Sequence, residues 1–164
     1  MQNDPVPPVT RLLRLCDGIA LAALAVLFAV VAVNVAGRAL FDATGQAVNL
    51  MIPGAIEVSR YAMMVMVLAA LPRAAEAGLV RVDLLIARLP AVLAGLLERL
   101  WALAVAAFAA AAGWLLLEDA ALQATRGDVT QDLELPLWLI TGFAGLALAA
   151  LALTGLWLAA RRRR

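Results

Sequence analysis

Four long apolar runs, separated by short stretches where charge and turn residues gather, make up most of the chain. The first carries no charge over residues 19–35 and predicts a helix over about 17–40. The second opens at Pro53 and runs to about residue 71, with a break expected at Pro72. The third covers about 92–117, with Glu98 and Arg99 near its beginning and Glu118 and Asp119 at its end, and the fourth covers about 137–160, opened by Pro136. Each is close to the roughly 20 residues that cross a hydrocarbon core. Between the second and third lies a shorter, mixed segment at 79–89, LVRVDLLIARL, too short to span. Arg81 and Arg88, seven residues apart, fall on one helical face, with Asp83 in the same segment, which predicts an amphipathic helix in the membrane interface. Residues 1–10 read as a disordered tail, and 41–53 and 120–135 read as loops.

Composition agrees with the pattern. Of 164 residues, 65% are hydrophobic, against roughly 45–50% in soluble domains, and the mean hydropathy is +0.95. The expected fold class is therefore an all-α membrane protein: one integral domain over 1–164, four transmembrane helices and one interfacial helix. Basic residues before an apolar run also fit a signal peptide. The first run is too long for one, however, and Asn34 spoils a small-x-small cleavage site ending at Ala36.

Charge sets the expected orientation. The two termini and the connection between the second and third spans carry Arg11, Arg14, Arg73, Arg81, Arg88, Arg99 and the arginines at 161–164. The other connections hold only Arg38 and Arg126, beside Asp42, Asp128, Asp132 and Glu134. The positive-inside rule then places both termini in the cytoplasm, as an even number of spans allows. Trp138 and Trp157 bracket the fourth span about 28 Å apart, near the thickness of the hydrocarbon core, and Trp101 lies at the inner end of the third. All three fit interface anchors.

The residue inventory narrows the chemistry. There is no His and a single cysteine, Cys16, so bis-His haem ligation, a His-based zinc site, a thiolate cluster and an intramolecular disulfide are excluded. No cofactor, metal site or catalytic role is expected, and the net charge of +1 argues against a nucleic-acid surface. What remains is a set of polar residues in apolar surroundings. Asn34 and Arg38 share a face near the end of the first span; Glu57 and Arg60 lie in the first turns of the second. A short connection brings all four to similar depth. They suit an interhelical clamp in which Arg38 or Arg60 neutralises Glu57, a docking contact with a partner, or an ion-carrying Glu57. The last is disfavoured because a neighbouring arginine holds a carboxylate ionised.

Four short stretches carry a family resemblance: NVAGRALF at 34–41, IEVSRY at 56–61, GLVRVDLL at 78–85 with Leu89–Pro90, and GDVTQDLELPLW at 127–138. In order and spacing they resemble the small membrane subunit, the DctQ-type small permease, of tripartite ATP-independent periplasmic (TRAP) transporters. The chain departs from that pattern in two places. Ala55 and Ile56 stand where the family often has a tryptophan and a second acid before Glu57, and Leu79 where a histidine is common. The resemblance implies a subunit that braces a large permease, helps to dock a periplasmic binding protein and does not itself carry the solute, commonly an organic acid taken up on a sodium gradient. Membrane lipids would be its other partner. A small proton-coupled multidrug exporter working as a dimer is the alternative, although such proteins place their glutamate in the first span. The anchor of a respiratory enzyme would lack its usual haem ligands here.

Overall fold

The computed structural model describes residues 8–47, 52–77 and 90–161, and among these the secondary structure is helical, apart from an isolated β-bridge between Val129 and Pro136. The helices are α1 (Pro8–Ala43), α2 (Ala55–Ala77), α3 (Ala91–Arg126) and α4 (Leu137–Arg161). All four are long and apolar enough to cross a membrane. The segment at 79–89, with Arg81, Asp83 and Arg88, lies outside the described residues.

Three boundaries differ from expectation, each for a physical reason. α1 begins at Pro8 and not near residue 17; a proline suits a first helical position, where its missing N–H has no intrahelical partner. α2 does not break at Pro72 but continues through it to Ala77. Proline removes one backbone hydrogen bond, whereas ending the helix there would orphan several carbonyls in surroundings without water. The Pro72 ring is fully buried. α3 continues past residue 117 to Arg126, although 118–126 is polar. Polar residues such as Glu, Gln and Arg are good helix formers. The actual stop is Gly127, whose left-handed φ of 72° lets its N–H bond back to the Gln123 carbonyl at 3.0 Å.

The helices form an open layer in the order α1–α2–α4–α3 and not a closed bundle: α1 packs on α2, α2 on α4, and α4 on α3, while α1 barely reaches α4. One end of the layer holds the N-terminus of α1 and the C-terminus of α4 (the termini end); the other holds the turns after α1 and α3 (the loop end). The half-buried and buried positions of α1 include Leu13, Cys16, Ala20, Ala23, Leu27, Val30, Asn34 and Gly37, a seam of alternating three- and four-residue steps typical of helices crossing at a shallow angle.

The α3–α4 contact is set by small residues. A Cβ built on Gly113 would sit 3.1 Å from the Gly145 carbonyl oxygen, and one on Gly145 would sit 3.1 Å from that of Gly113. Near the termini end, Gly155 would meet the Ala102 carbonyl oxygen at 3.1 Å. Backbones can approach this closely only without side chains between them, and dispersion then holds the helices together where lipid offers no hydrophobic drive. Around Ala109, Leu151 and Ala152 this seam widens into a core that α2 joins through Leu71 and Ala75. Thr154, fully buried in α4, satisfies its hydroxyl internally by donating to the Ala150 carbonyl at 2.9 Å.

Candidate functional site

The polar residues of the layer gather at its two ends. At the loop end, the chain leaving α3 turns into a short hairpin. The Thr130 N–H donates to Leu135 O at 2.9 Å, the Leu137 N–H donates to Asp128 O at 3.0 Å, and the Leu135 N–H donates to the Thr130 hydroxyl at 3.0 Å. Past the turn, Glu134 takes a left-handed φ of 52°.

The tip of this hairpin rests on the start of α2. Glu57, only 7% exposed, accepts the backbone N–H groups of Asp132 and Leu133 on Oε2, both at 3.0 Å. The buried Thr130 hydroxyl lies alongside the same carboxylate. Next to it the Leu133 side chain fills the space over Gly54, where a Cβ would stand 2.7 Å from Leu133 Cγ. Gly54 itself has φ 69°, a conformation costly for any residue with a Cβ. Glycine is therefore required there twice, for backbone conformation and for clearance. The Glu57 charge is balanced by the Thr130 hydroxyl, by two amide dipoles, by Arg60 through space and by the positive end of α2, in whose first turn it sits.

This arrangement differs from an arginine clamp. Among the described residues, neither Arg38 nor Arg60 lies within ion-pair distance of Glu57. Asn34 is half-buried on the α1 seam, while Arg38 and Arg60 are exposed. Trp101 and Trp138 are exposed and Trp157 is half-buried. Glu57 is thus joined directly to a loop some 75 residues on, while Arg60 acts on it only through space. The family-like stretches at 56–61 and 127–138 meet in space: the first supplies the carboxylate and the second the amides.

At the termini end, Arg73 of α2 reaches α1. Its Nε donates to both oxygens of Asp17, at 3.2 and 3.1 Å, and its Nη2 donates to Asp17 Oδ2. Nη1 donates to Glu76 Oε2 at 2.6 Å. Along the sequence, Asp17 reads only as the edge of a span. The signal for its pairing is the register of the two helices: if Asn34 and Glu57 are level, Asp17 and Arg73 are level too. Across α3 and α4, the Thr141 hydroxyl donates to Gln123 Oε1 at 2.8 Å.

Chemically, these sites fasten segments together. Among the described residues, no three His, Cys, Asp or Glu side chains come close enough to share a metal ion. Outside them, large apolar side chains face outward along α1 and α3, including Phe28, Phe108 and Trp114.

Comparison with known families supplies the assignment. The sequence model for the DctQ component of tripartite ATP-independent periplasmic transporters matches residues 27–164, from within α1 to the last residue. Comparison with curated proteins and with solved structures gave no match. With most of its length matched, including both partners of the Glu57 contact, the chain belongs to the DctQ family, the small membrane component of TRAP transporters.

Proposed function

We propose that this chain is a non-transporting accessory subunit that braces the large permease subunit of a TRAP transporter and helps to dock the periplasmic binding protein during uptake of a solute, an organic acid in the commonest case, on a sodium gradient. The observation that carries this reading is the open layer. A self-sufficient four-helix protein closes its bundle around a core, whereas here α1 and α3 flank the layer and turn most of their apolar side chains outward. Such a surface is suited to lying against a larger membrane protein.

In this reading both termini are cytoplasmic, as the arginine distribution favours, and the loop end faces the periplasm. The hairpin clamped by Glu57 then belongs to the face that a binding protein approaches. The segment at 79–89, with Arg81, Asp83 and Arg88, lies along the inner leaflet, and Trp101, Trp138 and Trp157 anchor at the interfaces.

The test is co-purification. Expressed with its large subunit and extracted in mild detergent, the tagged chain is expected to bring that subunit with it at a one-to-one ratio. Uptake in reconstituted vesicles should require both chains, the binding protein and a sodium gradient. A chain that purifies alone as a dimer and supports proton-coupled export would replace this reading.

A further inference from the structure

Arg60 lies about one turn after Glu57 on α2 and acts on that carboxylate only through space, without a direct contact. It is exposed, and among the described residues it has neither an ion pair nor a hydrogen bond. The nearest acid along the helix, Glu57, is buried and turned to the hairpin, its Oε2 held by the Asp132 and Leu133 amides and its Oε1 without a hydrogen-bond partner. The position is also deep. Arg60 lies thirteen residues before Arg73 on a continuous helix, about 20 Å along its axis. If the Asp17–Arg73 pair marks one edge of a roughly 30 Å hydrocarbon core, Arg60 stands about 10 Å inside the other edge.

The surroundings of Arg60 have the form of a helix seam. Apart from Ala77 at its end, the exposed positions of α2 are Ile56, Arg60, Met63, Val67 and Ala70, spaced by alternating four and three residues, the repeat at which one helix reads another. Met63 is an adaptable contact residue, and Ala70 permits close approach. α2 is an inner helix, flanked by α1 and α4, yet this stripe is covered by neither. It is also the least hydropathic of the four spans, as expected of a helix that faces protein and not lipid.

We infer that the Ile56–Arg60–Met63–Val67–Ala70 stripe is a docking seam for a transmembrane helix of the large subunit, and that this helix carries an acidic side chain at the depth of Arg60. The inference rests on the accessory-subunit reading and adds to it the face and the chemistry of the contact. A charged side chain inside a membrane is stable only when paired or when it reaches the headgroups. Among the described residues no acid makes an ion pair with it, and Glu57 reaches it only through space, so the partner supplies the direct acceptor. Arginine is suited to that role because it stays charged and grips a carboxylate with two donors at once.

The experiment uses a cysteine-free chain (Cys16→Ala) co-expressed with the large subunit, with a photo-crosslinking residue placed singly at Ile56, Met63 or Val67, and at Phe28 of α1 for comparison. The stripe positions should crosslink to a single helix of the large subunit. Arg60→Glu should lower the amount of large subunit recovered about tenfold or more, the effect of losing a pair worth one decade in affinity. Arg60→Lys should retain most of the binding, and Arg126→Glu should retain all of it. An arginine substituted for the acid on the crosslinked helix should restore binding to Arg60→Glu. Helicity and yield of Arg60→Glu on its own, unchanged from the parent, separate a lost contact from a lost fold.

Unchanged recovery of the large subunit with Arg60→Glu, or crosslinks from Phe28 and none from the stripe, would overturn the seam while leaving the accessory role intact. An intact complex that has lost a bound anionic lipid in the same variant would overturn it too, assigning Arg60 to a lipid phosphate. Failure of the unsubstituted chain to recover any large subunit would instead refute the accessory role itself.

Discussion

Replacing Glu57 by alanine should release the hairpin tip from α2 and leave the helices in place. Oε2 accepts two backbone N–H groups at 3.0 Å each, and hydrogen bonds to a charged group contribute about 1.5–3 kcal/mol each. The lower value applies, because Asp132 is exposed and its amide regains water once the tip lifts. Two bonds at that value come to about 3 kcal/mol, or about a hundredfold in the opening equilibrium. Leu133 still packs over Gly54 in the variant, so the hairpin loosens without being lost. Amide hydrogen exchange in detergent micelles reads this directly. The Asp132 and Leu133 amides should exchange about a hundredfold faster in Glu57→Ala and about tenfold faster in Glu57→Gln, whose neutral acceptor keeps roughly half the strength. The Leu137 amide, bonded to Asp128 at the base of the hairpin, serves as the internal reference and should change less. Exchange at Asp132 and Leu133 within about a factor of two of the parent would show that the carboxylate does not hold the tip, and the clamp would have to be abandoned.

Other substitutions probe the remaining contacts. Gly54→Ala places a Cβ 2.7 Å from Leu133 Cγ at a residue with φ 69°; the conformation alone costs about 1–2 kcal/mol, and faster exchange of the same two amides should follow, whereas unchanged exchange would show that Leu133 does not rest there. Gly113→Ala sets a methyl 3.1 Å from the Gly145 carbonyl oxygen, a backbone atom unable to swing aside, and thermal unfolding in detergent should register a loss of about 1–3 kcal/mol. Gly95→Ala, with nothing within 4 Å, is the control and should be neutral or slightly stabilising; equal effects at the two positions would contradict close α3–α4 packing. Asp17→Asn removes an ion pair whose side chains are 42% and 36% exposed, so its cost should stay at or below about 1 kcal/mol and shrink with added salt. A larger, salt-independent loss would mean that the pair is buried in the membrane.

Much of the architecture is legible in the order of residues alone. Four spans, their order and their approximate limits follow from runs of apolar residues long enough to cross a bilayer, because a backbone in lipid must satisfy its own hydrogen bonds and a helix is the local way to do so. Local signals are less dependable at the helix ends. Pro72 reads as a stop but lies inside α2, since ending a helix in apolar surroundings costs more than losing one bond. The polar stretch at 120–135 reads as a loop, but its first part, to Arg126, extends α3, since Ala120 and Gln123 pack and bond against α4. These outcomes depend on what surrounds the segment, which the order of residues along a chain does not state.

The functional residues divide along the same line. Glu57 stands out in the sequence because a carboxylate in a span demands a partner, and periodicity puts Arg60 within reach of it. Only the tertiary structure decided which partner Glu57 took. Its amide donors come from a hairpin about 75 positions away, and backbone N–H groups carry no mark in a sequence of their being donors to one side chain. The same contact decided the fate of Arg60: with the acid turned inward to the loop, the arginine is left on the open face of α2. Sequence determined that this layer would lie in a membrane and which charges it would hold there; long-range packing determined which of those charges the fold pairs directly and which stay exposed.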